Sequence, residues 1–398
     1  MSSFAPERFD IGLGPLGGAG GAGGAGGAGG AGGAGGAGGA GGAGLAGYDS
    51  SLLADALIHS RDGISGMWQD PGTPNPLTIE DPANLERWAG WVRASIFDFE
   101  LFSRVGVSTE TSAAGEATDP VSIWHLQVTP PAPGGVPIAP PTVHYQPLVR
   151  FTRPSVETFR AQVALVKNYA DLRPDRTSEI ISQLIGGQAF LASVAYLSPD
   201  RTPWTLELLA AAFRLANFVE MRIKHALACR RQNEYSPQIQ PMILTPAHGA
   251  LPSGHATETF MMGLVLWNLI RSSGSALYSK PIWGVQLMQL AARVAINRQV
   301  AGVHTPMESA AGAMLGLTLG QYLVDRCKGT ATTYAAWMFS GGDYPDDKDF
   351  DWTELYDVGA PGQSATAYAQ KLAVPDPAIG ARSSILKWLW TKAAAEWP

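Results

Sequence analysis

The chain has 398 residues, of which 45% are hydrophobic, so it can bury a sizeable core and is not a disordered protein. Its 28 Lys and Arg residues are outnumbered by 34 Asp and Glu residues, and the resulting net charge of -6 argues against nucleic acid as a partner. The two cysteines, Cys229 and Cys327, form no CxxC pair, so neither a disulfide framework nor a zinc site is expected.

The N-terminal part of the chain is of low complexity. Residues 17–43 repeat Gly-Gly-Ala and carry no side chain larger than a methyl group, so they cannot pack a core. We expect residues 1–47 to be a flexible leader and residues 48–398 to form the folded domain. The start of the chain lacks the basic and apolar regions of a secretory signal, which predicts a cytoplasmic protein.

Residues 48–154 mix short helical pieces with a proline-rich stretch at 130–141, which predicts an irregular covering layer. The second half predicts four long helices. Thr202 and Pro203 are typical of an N-cap and a first-turn proline, and apolar residues then recur at helical spacing to about Arg231. The three further helices are predicted over residues 256–270, 281–299 and 306–327.

No run of alternating strands is visible in this half, so the sequence predicts an all-α fold, a helical bundle. The most apolar segments, residues 260–270 and 310–319, are shorter than the roughly 20 residues that span a bilayer. We therefore expect buried core helices and no membrane partner.

Lys224 and Arg231 are the first of three groups of polar residues that suggest chemistry. Seven positions apart on one predicted helix, they would point in nearly the same direction. Such a pair forms either part of an anion site or an ordinary solvated helix surface.

The second group is Ser253-Gly254-His255, at the predicted junction of a loop and a helix. A hydroxyl, a glycine that allows close approach and the N–H groups of a helix start together favour an anion. The alternative is a serine N-cap followed by a histidine that faces solvent.

The third group is Arg298 and His304, with Glu308 one helical turn further on. A guanidinium matches the geometry of a tetrahedral oxyanion, and a histidine can be a nucleophile or a metal ligand. Glu308 could hold the other ring nitrogen of His304. A surface arginine and a hydrogen-bonded core histidine are the alternative interpretation.

In order and spacing, the three groups resemble the signature of the superfamily of type 2 phosphatidic acid phosphatases and vanadium haloperoxidases. The resemblance extends over about residues 203–320, with the predicted catalytic core at about 203–325. Two positions depart from it. Gln232 follows Arg231 where the family often has proline, and Asn297 precedes Arg298 where serine is common.

The resemblance implies a set of residues that bind vanadate as a cofactor, or phosphate. They are Lys224, Arg231, Ser253, Gly254, Arg298 and His304. His304 would bond to the vanadium, Lys224 would polarise bound peroxide, and His255 would act as general acid and base. In a phosphatase, His304 would attack phosphorus and His255 would protonate the leaving group.

His248 favours the haloperoxidase chemistry. It lies seven positions before His255. In this respect the chain resembles the bromoperoxidases of this superfamily, which carry histidine at that position. We therefore expect a homo-oligomeric, vanadate-dependent haloperoxidase that oxidises bromide or iodide with hydrogen peroxide and halogenates an organic acceptor. A soluble acid phosphatase that uses the same pocket is the alternative, and a helical binding protein without catalytic activity is a further one.

Overall fold

The structure is a computed structural model that describes residues 51–67, 70, 72–111, 117–129, 140–184, 187–329, 331, 333–374 and 383–398. The leader predicted for residues 1–47 lies outside the described residues. So do residues 130–139 of the proline-rich stretch.

Eleven α-helices occur within the described residues. They are α1 (Ser51–Ile64), α2 (Gly90–Phe102), α3 (Val156–Tyr169), α4 (Arg173–Ser182), α5 (Gly187–Ala195), α6 (Pro203–Leu227), α7 (Gln232–Tyr235), α8 (Gly254–Arg271), α9 (Pro281–Val300), α10 (Pro306–Lys328) and α11 (Ser384–Ala394). Proline begins α6, α9 and α10, at a position where the missing N–H breaks no helical hydrogen bond. Among the residues that the structure describes, no helix is both long enough and apolar enough to cross a bilayer.

Helix α8 lies at the centre of the helical layer. It packs against α6, α9 and α10, and its side chains are buried from His255 to Ile270. Gly312 of α10 allows the two helices to approach closely, because a Cβ at this position would lie 2.5 Å from the carbonyl oxygen of Ser253. This packing brings the beginnings of α8 and α10 together.

Seven β-strands accompany the helices in the described residues. They are β1 (Val105–Thr111), β2 (Ala117–Thr129), β3 (Thr142–Thr152), β4 (Ala336–Ser340), β5 (Tyr356–Asp357), β6 (Gly362–Gln363) and β7 (Ala369–Leu372). Five of them form one sheet in the order β1-β2-β3-β4-β7, in which β3 and β4 are parallel and the other neighbours are antiparallel. Strands β5 and β6 form a separate hairpin.

The sheet corrects the expectation of an all-α fold, and it replaces much of the irregular layer predicted for residues 48–154. Val121, Ile123 and Phe151 are buried in the same core as the helices, and β2 packs against α6. The β-branched and aromatic residues of 121–128 favoured a strand. The all-α prediction rests on the helical periodicity of the second half of the chain, which carries no information about the fold of residues 105–152.

Helix α6 ends earlier than predicted. Ala228 has a left-handed backbone (φ 50°) and its N–H donates to the carbonyl of Lys224, which closes the helix after Leu227. Arg231 is therefore not on the same helix as Lys224, and the predicted shared helix face is wrong. Arg231 instead precedes the short helix α7, which begins at Gln232.

Candidate active site

Three separate segments meet at the end of α6 and the beginnings of α8 and α10. Lys224, which is buried near the end of α6, donates hydrogen bonds to the carbonyl oxygens of Pro252 and, at 3.4 Å, Gly249. The backbone N–H of Ser253 donates to the carbonyl oxygen of Glu308 at 3.0 Å. The loop that carries Ser253 is thereby held between the lysine and α10.

The guanidinium of Arg231 contacts two of the histidines predicted to belong to the site, His248 and His304. Its Nε donates to the carbonyl of His248 at 3.0 Å, and its Nη1 donates to the carbonyl of Val303 at 2.9 Å. These bonds fix the guanidinium so that Nη1 lies 3.4 Å from Nε2 of His304 and Nη2 lies 3.2 Å from Nδ1 of His248. His304 is fully buried, whereas His248 is partly exposed.

Glu308 orients His304, as their spacing suggested. Its Oε2 lies 2.7 Å from Nδ1 of His304 and accepts the N–H of Thr305 at 3.1 Å. Because the carboxylate accepts the Nδ1 proton, the lone pair of the neutral ring is on Nε2, the atom that faces Arg231. The pair His304 and Glu308 is completely buried, so water does not compete for this hydrogen bond.

Gln232, which stands where the family often has proline, holds Glu308 in place. Its Nε2 donates to both carboxylate oxygens of Glu308, at 2.6 and 2.8 Å, and its side chain is fully buried. Glu308 is thus held from two directions, by Gln232 and by the backbone N–H of Thr305. Proline at position 232 could not make this contact.

Arg298 lies near the end of α9. It is fully buried, and its Nη2 donates to the side-chain oxygen of Gln183 at 2.9 Å and to the carbonyl of Ile180 at 3.1 Å. Asn297 donates to the same Gln183 oxygen at 3.0 Å. Gln183 therefore positions both residues, and no sequence pattern pointed to it.

Ser253, Gly254 and His255 lie at the start of α8, and all three are buried. Ser253 occupies the N-cap position, but its side chain makes no capping hydrogen bond. Within the described residues, its buried Oγ has no hydrogen-bond partner. The hydroxyl is therefore available to a ligand, beside the N–H groups that a helix start leaves without helical partners.

A close contact explains the glycine of this motif. A Cβ on residue 254 would lie 2.8 Å from Oε1 of Glu220, which is buried one turn before Lys224 on α6. A side chain at residue 254 would therefore require the carboxylate of Glu220 to move.

The chemistry of the donors suits an oxyanion. Three buried cations, Lys224, Arg231 and Arg298, are expensive to remove from water, and a bound anion offsets part of that cost. The described residues contain no group of three or more His, Cys, Asp or Glu side chains that could chelate a metal cation. Cationic N–H donors, the hydroxyl of Ser253 and one imidazole nitrogen instead fit phosphate or vanadate.

The chain contains a PAP2 superfamily domain, since residues 204–326 match the model of that superfamily. This range includes nearly all of α6, the whole of α7, α8 and α9 with the segments that connect them, and nearly all of α10.

Two curated relatives match as well, both named decaprenylphosphoryl-5-phosphoribose phosphatase. They come from Mycobacterium tuberculosis strains CDC 1551 / Oshkosh and ATCC 25618 / H37Rv. Each is 34% identical over 132 residues, which is 33% of this chain and 65% of the relative. The match therefore spans less than two thirds of the length of these relatives.

Proposed function

From the PAP2 superfamily domain at residues 204–326, we propose that this chain is a phosphatase-type enzyme that hydrolyses a phosphomonoester through a phosphohistidine at His304. The observation that carries this proposal is the contact of 3.4 Å between Nε2 of His304 and Nη1 of Arg231. A phosphoryl group bonded to that nitrogen would have its oxygens beside a fixed guanidinium. The similarity to phosphatases supports the same reaction.

In the first step, the Nε2 lone pair of His304 attacks phosphorus and the bond from phosphorus to the leaving oxygen breaks. Lys224, Arg231 and Arg298 neutralise the other phosphoryl oxygens, while Ser253 and the N–H of Gly254 donate hydrogen bonds to them. His255 gives its proton to the leaving oxygen. Glu308 stabilises the positive charge that develops on the ring of His304.

In the second step, water attacks the phosphohistidine. His255, now neutral, accepts a proton from the water as its oxygen bonds to phosphorus and the bond from phosphorus to nitrogen breaks. Inorganic phosphate leaves, and both histidines return to their starting protonation states.

The test is hydrolysis of nitrophenyl phosphate by the wild-type chain and by His304→Gln. His225→Gln is the matched control, since His225 is exposed on α6. We expect activity in the wild type and the control, and a phosphoenzyme that is stable in alkali and labile in acid. Hydrolysis by His304→Gln at the wild-type rate, or a wild type without any activity, would contradict the proposal.

A second candidate function, the vanadate-dependent haloperoxidase, is favoured by the position of His248. This histidine is partly exposed and lies 3.2 Å from the same guanidinium that contacts His304. The residues that would hold phosphate would hold vanadate equally well, with His304 as the ligand. Bound vanadate would supply Lewis-acid activation of hydrogen peroxide. Lys224 would donate to the bound oxygens, and His248 and His255 would move protons.

The two functions are separated by assaying phosphate ester hydrolysis and peroxide-dependent bromination of phenol red on one preparation, with and without added vanadate. A phosphatase loses hydrolysis when vanadate occupies the pocket and gains no bromination. A haloperoxidase gains bromination with vanadate, and His248→Ala lowers it. Bromination without vanadate, or equal bromination by His304→Gln, would exclude this pocket as its source.

A further inference from the structure

A second cleft lies beside the end of α8 and the middle of α10. It has a volume of about 330 Å³. Its floor is formed by apolar and aromatic side chains, namely Leu264, Leu317, Tyr322, Trp337 and Tyr356. One wall is the β5–β6 hairpin, which is attached to α10 because Gln363 accepts a hydrogen bond from Thr318 at 3.2 Å and donates one to the carbonyl of Met314 at 3.3 Å.

Two cations line this cleft, and the described lining residues include no aspartate or glutamate. Arg271 ends α8, and Lys371 lies on β7 opposite Trp337 of β4. Neither cation forms an ion pair with a carboxylate in the part of the chain that the structure describes. The charged residues that line this cleft are thus both positive, although the chain as a whole has a net charge of -6.

The guanidinium of Arg271 is held in place before any ligand binds. Its Nη2 donates to the side-chain oxygen of Asn268 at 2.7 Å, and its carbon lies 5.7 Å from the ring centre of Trp267. Its buried Nε has no hydrogen-bond partner among the described residues. A fixed arginine with an unused donor is well suited to a carboxylate or sulfonate.

The charge of Arg271 also acts on its neighbours. The pKa of Lys328 is lowered, first by burial and then by the positive charge of Arg271. The same guanidinium partly offsets the burial that raises the pKa of Tyr356 to about 12. At both groups the effect of Arg271 is larger than the opposing effect of a nearby carboxylate, Asp325 for Lys328 and Asp357 for Tyr356.

The cleft is separate from the catalytic pocket. Arg271 is 17 residues after Gly254 on one continuous helix, which corresponds to about 25 Å at the rise of an α-helix. Its lining residues include none of those in the candidate active site.

We propose that this cleft is a binding site for an aromatic organic anion, with the rings against Trp337 and Tyr356 and the anionic group between Arg271 and Lys371. The aromatic floor supplies apolar contact area. The two cations select for negative charge. This site does not depend on the proposed catalytic function.

The test compares two fluorescent dyes, anilinonaphthalenesulfonate and phenylnaphthylamine, which has the same rings without the sulfonate. The full chain should bind the sulfonate at one saturable site. Arg271→Gln and Lys371→Gln should each weaken sulfonate binding about tenfold, the effect of one charge-assisted hydrogen bond. The affinity for the neutral dye should be unchanged. Lys387→Gln, which removes an exposed charge on α11, is the matched control and should bind like the wild type.

Equal sulfonate affinity in the wild type and both cleft variants would overturn the proposal. An equal loss for the two dyes would also overturn it, because packing rather than charge would then be responsible. Loss of sulfonate binding in Arg231→Gln would place the dye in the catalytic pocket instead. If Arg271→Gln fails to fold, Lys371→Gln still tests the proposal, because Lys371 is exposed.

Discussion

Nε2 of His304 lies 3.4 Å from Nη1 of Arg231, although 73 positions separate these residues in the chain. The guanidinium is oriented by the carbonyl oxygens of His248 and Val303, and the imidazole is oriented by Glu308. Both groups are therefore fixed before a ligand arrives. An anion bonded to the histidine would gain the arginine contact without a large loss of side-chain entropy.

Ser253→Ala should separate ligand binding from stability. The hydroxyl is buried and makes no hydrogen bond to the described residues, so its removal should leave the melting temperature unchanged or slightly higher. Affinity for phosphate should fall about tenfold, because one oxyanion donor is lost. Calorimetry and phosphate titration measure the two effects.

Ser309→Ala is the control for this prediction. Ser309 donates to the carbonyl of Thr305 and accepts from Gln299, so its removal should lower the free energy of unfolding by about 1 kcal/mol. A destabilised Ser253→Ala with normal phosphate affinity would show that Ser253 is structural.

Arg231→Lys keeps the charge but loses the planar fork that contacts both histidines. We expect kcat/KM for phosphate ester hydrolysis to fall about a hundredfold, the typical effect of removing one oxyanion donor. Arg230→Lys, at the exposed neighbouring position, should behave like the wild type. Equal kinetics for the two variants would argue that charge alone matters at residue 231.

Gln232→Leu tests a positioning residue. Gln232 donates to both oxygens of Glu308 and contacts the reaction only through Glu308 and His304. Its loss should lower kcat about tenfold with little change in KM, as for other supports of an active-site side chain. Gln238→Leu, at an exposed position, is the control. A rise in KM at constant kcat would show that residue 232 contacts substrate instead.

The stability of the fold should fall in acid because of His125. Burial, and then the charge of Arg326, lower the pKa of this histidine from 6.5 to about 3. Between these values the unfolded chain binds a proton that the folded chain does not, so the free energy of unfolding decreases as the pH falls. From pH 6.5 to pH 5, the loss is at most about 2 kcal/mol.

Urea unfolding of the wild type and His125→Gln at pH 7 and pH 5 checks this prediction. The variant should lose less stability between the two pH values, whereas His225→Gln should lose as much as the wild type, since His225 is exposed. If His125→Gln lost as much stability as the wild type between pH 7 and pH 5, the loss would come from other groups.

The sequence predicted the long helices of the second half well. Proline at the first turns of α6, α9 and α10, together with regular apolar spacing, placed their starts correctly. Strands β1, β2 and β3 are antiparallel neighbours that follow one another in sequence, and the β-branched and aromatic residues of 121–128 are a local signal for them. Only the pairing of β3 with β4, in which Val149 lies opposite Trp337, joins distant parts of the chain.

In the site too, the sequence identified some residues correctly but could not show how the fold places them. Motif spacing pointed to Arg231, Ser253 and His304, which occupy the segments that converge. Spacing could not show that Arg231 approaches from beyond the helix end, since a single left-handed residue, Ala228, causes this. Nor could it identify Gln183, which directly follows α4 and accepts a hydrogen bond from Arg298, a residue distant in the sequence.

Vanadate titration of the purified chain, followed by vanadium NMR, tests most directly whether these segments form one oxyanion pocket. We predict one tight site per chain that phosphate displaces, and its loss in His304→Gln but not in His225→Gln. A wild-type chain that binds no vanadate, or a His304→Gln variant that binds it equally well, would contradict the account.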